Sequence, residues 1–129
     1  MPRTEYASVD DYVAAQPMPA RRVLERVRAA IHRGLGDPDF GVGELANALA
    51  QDRSGLFRRV RELAGEPPSL LVRRLRLEEG ARLLDAASGT VGDVAYAVGF
   101  NSVSYFCRCF HEAYGLTPAA YRSRVGADR

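Results

Sequence analysis

Four groups of side chains in this sequence could do chemistry. Cys107 and Cys109 form a C-x-C pair, and His32 and His111 are the only imidazoles. Two polar sets also recur fifty residues apart: Ser54, Arg58 and Arg61, then Ser104, Arg108 and His111. The cysteines lie in a helical pattern, where residues two apart diverge by roughly 200°, so they are poorly placed to share a disulfide or a metal. No second cluster completes four ligands, and no metal site is expected. The histidines belong to different helical segments without a nucleophile or acid at a useful spacing, and no glycine loop is built to cradle a phosphate. The expectation is no catalytic residue, no metal and no cofactor. The two serine–arginine sets remain, and their donors suit phosphates and the polar edges of bases.

The elements that must position them are helical throughout, since no segment alternates with period two. Ser8 and Asp11 start a short helix over 9–15, stopped by Pro17 and Pro19. Residues 21–34 place Val23, Leu24, Val27, Ala30 and Ile31 on one face, and Gly34 and Gly36 end that helix. Phe40 reads as a core plug in the following loop. A short helix over 43–50 points Leu45, Ala46 and Leu49 inward. Asp52 caps a helix over 53–64 closed by Gly65. Residues 69–86 form the longest helix, broken by Ser88-Gly89-Thr90. Thr90 caps a helix over 91–98, Ser102 caps another over 103–114 closed by Gly115, and Thr117-Pro118 opens a last one. Arg73, Arg74 and Arg76 are expected to pair with Glu78 and Glu79 on their own helix.

A repeat of about fifty residues organises the chain. Leu56, Val60, Arg58, Gly65 and Pro68 correspond to Phe106, Phe110, Arg108, Gly115 and Pro118. Leu45-Ala46 corresponds to Val94-Ala95, so the second turn is one residue longer. Short helix, tight turn and capped helix make a helix-turn-helix unit, and two copies suit the reading of a duplex. In both second helices the apolar stripe leaves Ser54, Arg58 and Arg61, or Ser104, Arg108 and His111, on the opposite side, with Phe57 or Cys107 at its edge. Donors on the first turns of a helix laid in the major groove reach bases and phosphates. The helix between the units, about 18 residues, spans roughly 27 Å, compatible with readers near the ~34 Å of one DNA turn. The expected fold is all-α: two helix-turn-helix subdomains joined by a long linker helix, about seven helices plus a short N-terminal one. The expected division is a leader or linker remnant over 1–20, a first subdomain over 21–67, the linker helix over 68–87 and a second subdomain over 88–126.

The run VGDVAYAVGFNSVSYFCRCFHEAYGLTPAAYR resembles the C-terminal signature of AraC/XylS-type transcription regulators. DPDFGVGELANAL, LFRRVRELAGEPP and LVRRLRLEEGARLLD resemble that family's first unit and linker, and the likeness is greatest to output domains of hybrid two-component sensors. The resemblance covers about residues 21–125. It implies groove-entering segments over 52–64 and 102–114, with the recognition helices 53–64 and 103–114 inserted into adjacent major grooves. It also implies contact positions at Arg53, Ser54, Phe57 and Arg58, then Val103, Ser104, Cys107 and Arg108. Arg61 and His111 lie one turn further on, and Ser102 is a cap that can also meet a phosphate. Phe57, Val103 and Cys107 offer little hydrogen bonding, which leaves apolar contact as their chemistry. Val60 stands where an aromatic is common. Gly80 replaces the usual alanine and makes the linker helix either softer or closely packed.

Charge fits this reading. Residues 1–52 carry 6 arginines and 8 acids, a net of −2, whereas residues 53–129 carry 12 arginines and 8 acids, a net of +4. Lysine is absent. No segment reaches the ~18 apolar residues of a membrane span and the N-terminus has no signal-peptide profile, so a cytoplasmic location is expected. The expected partners are double-stranded DNA, RNA polymerase through an activator role, and a larger sensor or regulator polypeptide upstream, with the isolated domain monomeric. The alternative is a helical protein–protein interaction module that has lost DNA binding.

Overall fold

The computed structural model describes residues 7–86 and 89–127. Residues 1–6 of the expected leader and Ser88 of the expected break lie outside them. Every regular element among the described residues is a helix: α1 (Val9–Ala15), α2 (Ala20–Gly34), α3 (Val42–Ala48), α4 (Arg53–Ala64), α5 (Pro68–Asp85), α6 (Val91–Ala97), α7 (Val103–Tyr114) and α8 (Pro118–Ala127). The chain divides into two compact units. The first holds residues up to Leu35 with 40–75, and the second holds 36–39 with Arg76 onward. The boundary thus falls inside α5.

In the first unit, Ser8 caps α1 by accepting the Asp11 N–H at 3.1 Å. Val9 and Val13 of α1 are buried, and the Tyr12 hydroxyl donates to the Leu63 carbonyl at 2.7 Å. Residues 7–20, expected as part of a leader, therefore belong to the packed unit, because α1 has an apolar face of its own to bury. Leu24, Val27, Ala30 and Ile31 of α2 meet Leu45 and Ala46 of α3, Leu56 and Val60 of α4, and Leu71 and Leu75 of α5 in one core. Fully burying a leucine or isoleucine contributes about 1.5–3 kcal/mol, so this stripe fixes which face α4 turns outward. Phe40 lies against the end of α2 so closely that a Cβ at Gly34 would stand 2.2 Å from its ring. Only glycine admits the plug.

The second unit is built on aromatics. Phe106 and Phe110 are fully buried, and Phe106 stacks edge-on with Phe100 at 5.1 Å. Phe110 continues the cluster to Tyr121 of α8 at 5.3 Å. The Phe106 ring passes 3.1 Å from the position of a Cβ on Gly80. The glycine in α5 therefore marks close packing.

Two of the arginines near the start of α5, Arg74 and Arg76, find partners beyond the Glu78 and Glu79 expected for them. Arg74 forms a two-pronged ion pair with Glu66, just before the helix, through its Nε at 2.7 Å and its Nη2. Arg76 is buried, and its guanidinium donates to the Val98 carbonyl at 2.7 Å and the Asp37 carbonyl at 3.1 Å, all within the second unit. Glu79 instead holds Arg82. The i,i+3 and i,i+4 rule describes a solvated helix face, and Arg74 and Arg76 are turned away from one.

Candidate nucleic-acid interface

Each unit presents one helix-turn-helix, and the two are built alike apart from the longer second turn. In the first, Glu44 accepts the Gly41 N–H at 2.9 Å. In the second, Asp93 accepts the Thr90 N–H at 3.0 Å while the Thr90 hydroxyl accepts the Asp93 N–H at 3.0 Å. Those hydrogen bonds, the Thr90 backbone's first, hold the Asp93 carboxyl below its ordinary pKa. The turns close the same way: the Gln51 N–H donates to Ala46 at 2.9 Å, and the Phe100 N–H to Ala95 at 3.0 Å. Ala50 at φ 55° and Gly99 at φ 87° take the left-handed conformation those closures need.

The second helix of each unit starts and stops on the expected residues. Asp52 accepts the Gly55 N–H at 3.2 Å and Ser102 the Tyr105 N–H at 3.2 Å. Gly65 and Gly115, at φ 74° and 75°, end the helices by donating to the carbonyls of Arg61 and His111. Such side-chain caps contribute about 1 kcal/mol each.

Helical phase then decides exposure. Leu56 and Val60 are buried on α4, and Phe106, Cys109 and Phe110 on α7. Arg53, Ser54, Phe57, Arg58 and Arg61 are all exposed on α4, as are Ser104, Arg108 and His111 on α7. Ser102, Val103 and Cys107 are half-buried. Val103 and Cys107 pack against the second core, so this edge of α7 offers less free surface than its counterpart on α4. Val42, Arg53, Ser54, Phe57 and Arg58 line an open cleft on the first unit. Two contacts brace the exposed arginines. Arg61 lies over the Phe57 ring at 6.0 Å, and Arg108 over the Tyr105 ring at 5.1 Å. Tyr105, 40% exposed, escaped the sequence reading, although an aromatic three residues before an arginine on a helix was a readable signal. The Ser102 and Ser104 hydroxyls stand 3.1 Å apart, so the cap is tied to a residue of the outer face.

Two helix-turn-helix units on one chain are also what its relatives carry. The family profile "Helix-turn-helix domain" covers residues 45–124. The chain belongs to the AraC/XylS-type helix-turn-helix family. Like other members, it is similar to the transcriptional regulator MtrA of Neisseria gonorrhoeae, at 31% identity over 70% of this chain and 30% of that protein. Among solved structures it is similar to the DNA-binding domain of the global transcriptional factor AdpA in complex with a target DNA. That match has 32% identity and a TM-score of 0.73 over 81% of this chain and 93% of the other. It also resembles the C-terminal domain of the two-component response regulator YesN from Fusobacterium nucleatum, at 26% identity and a TM-score of 0.72, covering 78% and 98%. The chain spans about a third or less of the length of the curated relatives it matches.

No group of three or more His, Cys, Asp or Glu among the described residues is placed to hold a metal ion. Cys107 and Cys109 are free thiols, the second buried. No helix among the described residues is long and apolar enough to cross a membrane.

Proposed function

We propose that this AraC/XylS-type domain binds double-stranded DNA sequence-specifically as a transcription regulator, laying α4 and α7 in adjacent major grooves. The observation that carries this is the matched outer face of the two helices. Each presents a serine (54 or 104), an arginine four residues on (58 or 108) and a further basic residue (61 or 111), all exposed. Arg58 and Arg108 read base edges or phosphates, Arg53, Ser54 and Ser104 assist, and Arg61 and His111 reach the backbone. Ser102 serves first as a cap. The AdpA domain solved with its target DNA supports the reading. The longer regulators among the relatives support a role as the DNA-binding part of a larger polypeptide, with signal reception elsewhere. Activation through contact with RNA polymerase, in the cytoplasm, completes the proposal, with the isolated domain acting as a monomer because two readers share one chain.

The test is duplex binding by fluorescence anisotropy across a salt series, on sites selected from a random library. Affinity falls steeply with salt, because cations displaced from phosphates are released. Arg58→Ala and Arg108→Ala each weaken binding by roughly 5- to 100-fold, the range of one good arginine–guanine contact. Binding that ignores both salt and sequence would point to a helical module that assembles with protein instead.

A further inference from the structure

We infer that Phe57 reads the C5-methyl group of a thymine, making the first unit an apolar as well as a polar reader. The inference rests on the DNA-binding role proposed above and narrows it to one side chain and one chemical group.

Three apolar residues stand at positions where the family resemblance implies contact, and the structure separates them. Val103 and Cys107 are half-buried and packed on the second core. Phe57 is 43% exposed, and its neighbours Leu56 and Val60 already fill the core stripe of α4. A phenyl ring carries no hydrogen-bonding group, so it is no reader of the polar edges of bases. In the major groove thymine alone among the four bases displays an apolar group, its methyl.

The surroundings select a nucleic acid over an apolar protein surface. The cleft that holds Phe57 has Val42 as its other apolar wall, and Arg53, Arg58 and Ser54 complete it. Two guanidinium groups in the same small cleft suit flanking phosphates and would be left unpaired against a greasy partner. Arg61 lies over one face of the ring at 6.0 Å, and Val42 shares the cleft with it, an apolar wall against which a methyl-sized group can be covered.

Deoxyuridine tests this directly, since it removes the methyl and keeps the base pair. With the 129-residue chain and a duplex selected from a random library, each thymine is replaced singly and the dissociation constant measured. At one position the wild type loses about fourfold in affinity, the worth of one buried methyl. Phe57→Ala binds the thymine and deoxyuridine duplexes equally, and Phe57→Leu keeps part of the difference. Helicity of both variants, checked by circular dichroism, matches the wild type because the position is on the surface. The inference is overturned if no single replacement weakens the wild type, or if the loss persists undiminished in Phe57→Ala. Failure to select any sequence is a different result, which removes the proposed function itself and this inference with it.

Discussion

Replacing Arg76 by methionine isolates the most unexpected contact in the second unit. Arg76 is 6% exposed, and desolvation holds its guanidinium below the ordinary arginine range against the opposing pull of Asp37. Its bond to the Val98 carbonyl at 2.7 Å is charge-assisted and buried, a class that contributes about 1.5–3 kcal/mol. The second bond, to Asp37 at 3.1 Å, reaches an exposed loop where water can substitute, so about 0.5–1 kcal/mol is reasonable there. Methionine refills most of the volume and removes the desolvation of a charge, which offsets part of the loss. The net expectation is a destabilisation of about 2–3 kcal/mol confined to the second unit. Native-state hydrogen exchange is the suitable assay, because it reports α6 and α7 separately from α2 and α4. Exchange in α6–α7 should accelerate roughly 30- to 150-fold at that cost, with the first unit unchanged. If α6–α7 exchange is unchanged or slower, the buried guanidinium does no more than break even with its own desolvation, and the account of how this turn is held is wrong.

Three further outcomes follow from local geometry. Ala50→Gly should raise the first unit's stability by about 0.5 kcal/mol, since relief of a left-handed alanine outweighs the added freedom of the unfolded chain; Gly99→Ala should lower the second unit's by more than 1 kcal/mol, both read by denaturant unfolding. Asp93 has its pKa lowered from 3.8 by the Thr90 hydrogen bonds, so its contribution to α6 is complete above that ordinary value and lost as pH falls through the lower folded one. Asp93→Asn should therefore flatten the acid limb of the second unit's stability profile. Tyr105→Leu should weaken DNA binding about two- to fivefold by freeing Arg108, whereas Tyr105→Phe, which keeps the aromatic face, should bind as the wild type does in anisotropy titrations.

Most of the scaffold could be read in the residues because its signals are local. Asp52, Thr90 and Ser102 cap helices three residues away, and Gly65 and Gly115 stop them with a conformation that other residues resist. The repeat then doubled every signal. What escaped was long-range. Tyr12 reaches across 51 positions to Leu63, and Arg76 across 22 and 39 to Val98 and Asp37. No periodicity marks such partners, and the arginines of α5 look identical in sequence whether they face water, an acid or a buried carbonyl. The outer faces of α4 and α7 were legible from phase alone. The unequal burial of Phe57 and Cys107, which occupy the same repeat position, was not, because it depends on how each core fills.

The second turn's additional residue has a consequence for anyone who would recombine these units. Phe100, at the close of that turn, is buried, whereas Gln51 at the equivalent closure is exposed. Trimming the longer turn to the length of the shorter one would draw residues out of the first turn of α7 and forfeit its Ser102 cap. Chimeras should therefore exchange each helix pair together with its own connection. Grafting outer-face residues alone onto an intact unit is the gentler route to altered specificity.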